Sequence, residues 1–167
     1  MIRAAIEADA DWIVALWNDV IAGTTVTFTT TLKTPADIAL MIATRPVLVL
    51  EDAGGFATFG PFRSGPGYAA TVEHSIFLAP KARGLGQGSA LMRRLMATAR
   101  DAGHHVMVAA ISGDNAGAVA FHAGLGFEMA GHLPQVGRKN GRWLDLILMQ
   151  KLLTASDDAN IAPADPV

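Results

Sequence analysis

The chain has 167 residues, of which 51% are hydrophobic and 17% charged, with a formal net charge of −2 and no cysteine. That length supports one domain with a sizeable core, and that composition excludes a disordered chain. The near-neutral charge gives no reason to expect nucleic acid or an acidic membrane as a partner, and the missing cysteine excludes a disulfide framework, a thiolate zinc site and a cysteine nucleophile. Lack of cysteine also fits a reducing cytoplasm. Met1 to Glu7 has neither the basic nor the apolar block of a signal peptide, and no apolar run reaches the roughly 20 residues of a membrane span.

Ile2 to Ile6 reads as a short first strand. Asp9 or Asp11 is placed to cap a helix whose apolar residues, Trp12, Ile13, Leu16, Trp17, Val20 and Ile21, share one face and end at Gly23. Thr24 to Leu32 is threonine-rich, with Phe28 its one large side chain. Thr34-Pro35 starts a second helix, which must stop before Arg45-Pro46. Val47 to Leu50 is a continuous apolar run and reads as a central buried strand. Asp52 to Gly55 turns the chain into a strand from Phe56 to Phe62, and Arg63 to Gly67 loops into a long strand from Tyr68 to Leu78.

That strand feeds a loop with glycines at 84, 86 and 88, followed by a helical run from Ser89 to Ala102. Glycines let the backbone approach a ligand closely, and a helix start offers free N–H groups and the positive end of its dipole. The junction therefore reads as an anion site suited to phosphate or pyrophosphate. A Walker loop is excluded because no Lys follows the last glycine, and a dinucleotide fingerprint needs glycine where Ser89 stands. The plainer alternative is a glycine-rich turn capping a helix. Beyond it come a strand from His105 to Ala110, a short helix from Asn115 to Ala123, and strands from Phe127 to Leu133 and Trp143 to Leu152. Asn140-Gly141 marks the hairpin tip between the last two. The chain reads as one α+β domain over residues 1–153, with residues 154–167 a frayed, disordered tail.

Five ordered motifs carry a resemblance over about residues 1–151: Val72-Glu73-His74-Ser75, Arg83 to Gly88, His105 to Ala109, His122 with Leu125-Gly126-Phe127, and Val136 to Lys139 with Gly141 to Leu146. They resemble the GNAT superfamily of acetyl-CoA-dependent N-acetyltransferases, and within it the phosphinothricin and methionine sulfone acetyltransferase family. The resemblance implies the GNAT fold: a mixed, mostly antiparallel central sheet flanked by helices and splayed at the acetyl-CoA-binding strand. It implies an enzyme that acetylates the α-amino group of a small amino acid or analogue with acetyl-CoA as cosubstrate and no metal, and a homodimer paired through the C-terminal hairpin. Acetylation of protein N-termini or lysines, and a non-catalytic acetyl-CoA-binding module, are the competing readings.

Carried over position by position, the resemblance puts pantetheine against the backbone of Ile76, Phe77 and Leu78. It puts pyrophosphate against Arg83, Gly84, Leu85, Gly86, Gln87, Gly88 and Ser89, with Asn115 a further cofactor contact. Phe28, Arg63, Gly67, Tyr68 and His74 fall around the amino acid pocket, Glu73 on the catalytic carboxylate, and His122 where many members place a tyrosine that protonates the leaving thiolate. The chain departs from relatives at Ala69 and Ala70, where they carry an arginine and then a tyrosine or histidine, so the exact acceptor stays open. It departs again at Asn140, which replaces a phenylalanine.

The chemistry is consistent with that assignment. An amine arrives mostly as ammonium and needs a base. Strand alternation puts Glu73, Ser75 and Phe77 on one face, and Val72, His74, Ile76 and Leu78 on the other. A buried Glu73 would have its pKa raised toward the working pH, whereas an exposed or ion-paired one would not. A bulge near Ile76 to Leu78 is expected to free backbone groups for the cofactor. His104, His105 and His132 lack metal-ligand spacing and read as structural, as Met92 and Met96 read as core.

Overall fold

A computed structural model describes residues 1–52 and 54–154. The elements run β1 (Ile2–Ala4), α1 (Ala10–Gly23), α2 (Pro35–Thr44), β2 (Val47–Leu50), β3 (Gly55–Pro61), β4 (Thr71–Leu78), α3 (Gln87–Asp101), β5 (Val106–Ser112), α4 (Ala116–Gly124), β6 (Glu128–Lys139) and β7 (Arg142–Leu152). Seven strands form one sheet in the order β1-β2-β3-β4-β5-β7-β6, antiparallel throughout except where β4 pairs β5. This is the α+β architecture the resemblance implies. The expected tail beyond Thr154 lies outside the described residues.

Two apolar layers clamp the sheet. Ile13, Ile38, Met41, Val47, Val49 and Phe56 join α1 and α2 to one face, while Leu48, Leu50, Ala57, Val72, Leu91, Met92, Leu95 and Met107 join α3 to the other. Val47 to Leu50 is therefore buried on both sides, as its continuous apolar run requires, yet β2 lies one strand in from the sheet edge and is not central. Met92 and Met96 are core, as read.

Local chemistry sets the helix ends. Thr34 accepts a hydrogen bond from Asp37 N at 3.2 Å while Asp37 accepts from Thr34 N at 2.8 Å, a reciprocal cap with Pro35 in the first turn. Asp9 does not cap α1. Its carboxylate accepts from both Arg3 guanidinium nitrogens, from Ile6 N and from Trp12 Nε1 at 2.7–3.0 Å, tying β1 to the turn before the helix. Those donors hold Asp9 well below the usual carboxylate range, the Arg3 bond contributing most.

The last two strands pair further than sequence suggests. β6 continues to Lys139, through a bulge that holds Pro134, Gln135 and Val136, and the ladder resumes at Gly137↔Leu144. Pro134 has no N–H to give the ladder, and Asp145 takes the Gln135 N–H at 2.9 Å instead. Asn140 and Gly141 close the hairpin, both at positive φ (50° and 77°), as an Asn-Gly turn demands.

Lys139, only 3% exposed, then reaches across to the end of α1. Its Nζ donates to the carbonyls of Ile21, Thr24 and Thr27, each at 2.7 Å. Three acceptors use all three ammonium N–H groups at the negative end of the helix, fastening the 24–34 loop to the hairpin. Beside it, Phe28 lies flat on Gly137, where a Cβ would stand 2.2 Å from Phe28 Cδ2. Lys139→Met should leave the three carbonyls without their donor and cost about 3 kcal/mol, or roughly 6–12 °C in Tm for a domain of this size. A thermal midpoint within 2 °C of wild type would refute this anchoring role.

Candidate functional site

The site begins where β4 and β5 part. They pair at Thr71↔Val106, Val72↔Met107 and Glu73↔Val108, and no further, although both strands continue. β3 stays paired with β4 up to Leu78 without a register shift. The expected bulge near Ile76 to Leu78 is thus not what frees the backbone; divergence from β5 does. The bonds Phe62 N→Thr71 O (3.3 Å) and Ala79 N→Gly54 O (3.0 Å) bracket the β3·β4 ladder and turn the odd residues of β4 toward β3. Ile76 and Leu78 therefore direct their backbone groups into the gap. Phe77 directs its own at β3, which corrects its place among the backbone contacts.

At the far end of β4 the glycine loop is open. Gly84 and Gly86 both have φ of 75°, and a Cβ at either would meet nothing within 4 Å. Gly86 caps α3 in the left-handed conformation and supplies no side-chain acceptor, so the first N–H groups of α3, at Gln87, Gly88 and Ser89, point free into the loop. Gly88 is glycine for packing instead: a Cβ there would stand 2.7 Å from Leu78 Cδ1 and 3.5 Å from Phe121 Cε2. Arg83 Nε donates to Leu78 O at 3.3 Å, setting the loop against the strand end. Unpaired strand edge, open loop and helix N-terminus form one continuous track of donors and acceptors, which fits a pantetheine arm ending in a pyrophosphate.

Glu73 stands at the last paired position before the gap, on the α1/α2 face with Phe77. It is half-buried, and among the described residues its carboxylate makes no hydrogen bond or ion pair. Desolvation pushes its pKa above the ordinary glutamate value. A carboxylate so placed is equipped to accept a proton.

His74 points the other way, and its expected place in the amino acid pocket is corrected. It is 8% exposed, packed on Phe127 at 5.7 Å and stacked on His122 at 5.0 Å between centroids. His122 is equally sunk, at 4% exposure. Its Nδ1–H donates to Ala118 O at 2.7 Å, leaving Nε2 to accept from His74 Nε2–H at 3.1 Å. Burial first, and the neighbouring imidazole second, push His74 down to about 3; burial also lowers His122. Both rings are neutral at pH 7, and both nitrogens of His122 are engaged inside the protein, so the ring offers no free N–H to a thiolate in the gap.

The remaining expected residues fall into two groups at opposite ends of the sheet. Phe28, seated on β6 at Gly137, lies with the C-terminal ends of β4 and β5. Nearby, Asn115 caps α4 by accepting from Ala118 N at 3.1 Å. With Asp114, Asn140 and residues 22–26 it lines a polar cleft of about 400 Å³. Arg63, Gly67 and Tyr68 lie at the N-terminal end of β4, where the Arg63 guanidinium sits over Phe62 at 5.5 Å and Tyr68 meets Phe62 edge-on at 6.2 Å. Two residues escaped the sequence reading. Lys139 was legible only as part of the hairpin motif, because a lysine in a polar hairpin looks solvated. Arg45 was legible only as a helix stop, yet its guanidinium lies over Gly60, the β3 partner of Glu73.

Among the described residues no cluster of His, Cys, Asp or Glu is arranged to hold a metal ion, and no helix is long and apolar enough to cross a membrane.

Comparison with known proteins agrees with this geometry. Residues 3–127 match the acetyltransferase (GNAT) family. The chain is 44% identical over 161 residues to an L-methionine sulfoximine/L-methionine sulfone acetyltransferase of Pseudomonas aeruginosa, covering 89% of this chain and 92% of the relative. Among solved structures it resembles a ribosomal-protein-alanine N-acetyltransferase from Brucella melitensis, with TM-score 0.87 and 39% identity over 92% of this chain and 99% of that one. It also resembles a phosphinothricin acetyltransferase from Sinorhizobium meliloti in complex with acetyl-CoA, with TM-score 0.85 and 34% identity over 92% and 88% of the two chains.

Proposed function

The chain belongs to the GNAT acetyltransferase family and is an N-acetyltransferase, and from that premise we propose that it moves the acetyl group of acetyl-CoA onto the α-amino group of a small amino acid or analogue, of the methionine sulfone, methionine sulfoximine or phosphinothricin kind. The catalytic unit is residues 1–153. The carrying observation is Glu73, half-buried and unpaired at the mouth of the β4/β5 gap. Pantetheine lies along Ile76 and Leu78, the pyrophosphate on Arg83 to Ser89, and the thioester beside Glu73.

The reaction runs in one ternary complex. Glu73, directly or through one water, takes a proton from the acceptor ammonium. The freed amine nitrogen attacks the thioester carbonyl, the C–S bond breaks, and the thiolate leaves and takes up the proton that the nitrogen sheds as the amide forms. A backbone N–H in the gap is placed to hold the oxyanion. The 63–68 loop bounds the acceptor site at the N-terminal end of β4. Relatives named for amino acid analogues favour a free amino acid over a protein acceptor.

The test is thiol release from acetyl-CoA with L-methionine sulfone, L-methionine sulfoximine, phosphinothricin, ordinary L-amino acids and a peptide beginning with alanine. Turnover confined to the free amino acids is expected; turnover confined to the peptide would replace this reading with the protein-acceptor one. We also propose a homodimer built on the hairpin. The outer strand β6 has an unpaired edge, and Met129, Val136 and Trp143 are 58%, 53% and 58% exposed. Light scattering of the same preparation at micromolar concentration should give twice the chain mass, and a monomer mass would remove the dimer.

A further inference from the structure

The face of the sheet that carries Glu73 also carries Arg45, an exposed cation with no hydrogen-bond or ion-pair partner among the described residues. Val47 pairs with Thr58, so the chain just before β2 brings Arg45 alongside Gly60, and Gly60 pairs with Glu73. Arg45, Gly60 and Glu73 therefore lie side by side across three neighbouring strands. They share a face, because Val47 and Phe56 on one side of this row, and Phe77 on the other, all pack toward α1 and α2. Arg45 is extended (φ −152°) because Pro46 follows it, and it ends α2 there.

The side chain of Arg45 bends over the glycine. A Cβ on Gly60 would stand 3.0 Å from Arg45 Nη1 and 3.7 Å from its Cζ. Glycine at position 60 leaves the guanidinium room to lie on this path. Despite the shared face, Arg45 and Glu73 do not form an ion pair, and among the described residues neither side chain has a hydrogen-bond partner. Neighbouring strands lie about 4.8 Å apart, so the two Cα atoms stand roughly 10 Å apart, with the Arg45 guanidinium over the strand between them. An exposed cation and a half-buried carboxylate thus share one face beside the β4/β5 gap, with no ion pair between them.

We propose that Arg45 binds the α-carboxylate of the acceptor while Glu73 receives its ammonium, so that the row Arg45–Gly60–Glu73 selects free α-amino acids as zwitterions. In an α-amino acid one carbon separates the two charged groups. With charge-assisted hydrogen bonds of about 2.8 Å at each end, such a molecule spans several ångströms, the scale set by two strand spacings. The guanidinium fork suits a carboxylate in two-point contact, which fixes the amine's direction as well as its position. This reading rests on the proposed acetyl transfer to amino acids, and extends it by naming the group on the acceptor that is recognised.

The experiment compares kcat/KM for L-methionine sulfone and for its carboxamide, which keeps the amine and the side chain and loses the anion. Wild type should prefer the free acid. Arg45→Gln should lower kcat/KM for the acid about 10–100-fold, chiefly through KM, as expected for one lost charge-assisted contact. The carboxamide should change less than threefold, and the Kd for acetyl-CoA should not move. Arg45→Lys should recover part of the preference. Equal losses on acid and amide would make Arg45 merely structural, and no loss on either would remove it from the site; both outcomes overturn the proposal. A loss of preference in Arg63→Gln with none in Arg45→Gln would move the role to the loop cation and overturn it too. If wild type transferred acetyl to no amino acid at all, the acetyl-transfer reading itself would fall, a result distinct from normal wild-type turnover with an unaffected Arg45→Gln.

Discussion

Replacing Glu73 with glutamine should lower kcat by about 10²–10⁴-fold, the usual contribution of a positioned general base. Glutamine keeps the size and hydrogen bonding of the side chain and removes its basicity. Affinity for acetyl-CoA should hold, because Ile76, Leu78 and the glycine loop are untouched. The pH profile gives the sharper test. Burial raises the Glu73 pKa above the ordinary glutamate value. A base works only when deprotonated, so wild-type kcat/KM should fall as pH drops through that raised value, and this acidic limb should vanish in the variant. At high pH the free amine exists without help, and the variant's rate should partly recover. Stability should not suffer at neutral pH, since a carboxylate whose folded pKa is raised opposes folding above that pKa, and glutamine lifts the cost. Normal turnover by Glu73→Gln at neutral pH, or acetyl-enzyme accumulating without amine, would end this mechanism.

Gly86→Val should abolish useful acetyl-CoA binding, weakening it on the order of 10²-fold or more, as expected when charge-assisted contacts to an anion are lost. The open space around Gly86 means that valine would clash with no other residue of the chain. On the proposed loop assignment it would stand where the pyrophosphate approaches the N–H groups of α3. The left-handed conformation, φ 75° and ψ −8°, adds a second cost of about 1–3 kcal/mol for a β-branched residue, seen as a lower Tm. Gly86→Asn separates the two effects. Asparagine tolerates this conformation, so it should nearly restore Tm while leaving binding weakened by its side chain. A folded Gly86→Val protein with wild-type affinity in calorimetry would refute the loop assignment.

Much of this was legible in the chain itself. The element order, the glycine loop opening a helix, the Thr34-Pro35 cap and the Asn140-Gly141 turn are local features, fixed within a few residues by backbone sterics and capping chemistry. Strand alternation put Glu73 and Phe77 on one face and Val72 and His74 on the other, because the side-chain period of a strand is 2 whatever it packs against. That same parity argued against His74 as a neighbour of Glu73, and only the resemblance drew it into the pocket.

Tertiary structure decided what depends on residues distant in the chain. The sheet order put β2 near the edge although its apolar run reads as central, because burial of a strand depends on what covers its faces and not on its rank in the sheet. The gap comes from β4 and β5 diverging after Glu73 and Val108, positions 35 residues apart by their numbers, and no local bulge signals it. His122 meets His74 across 48 residues, and Lys139 meets the end of α1 across 118. A lysine in a hairpin and an arginine before a proline look like solvated surface in sequence. Whether such a charge is buried against carbonyls, like Lys139, or exposed over a glycine, like Arg45, depends on which strands become neighbours, and that is set by packing of the whole sheet.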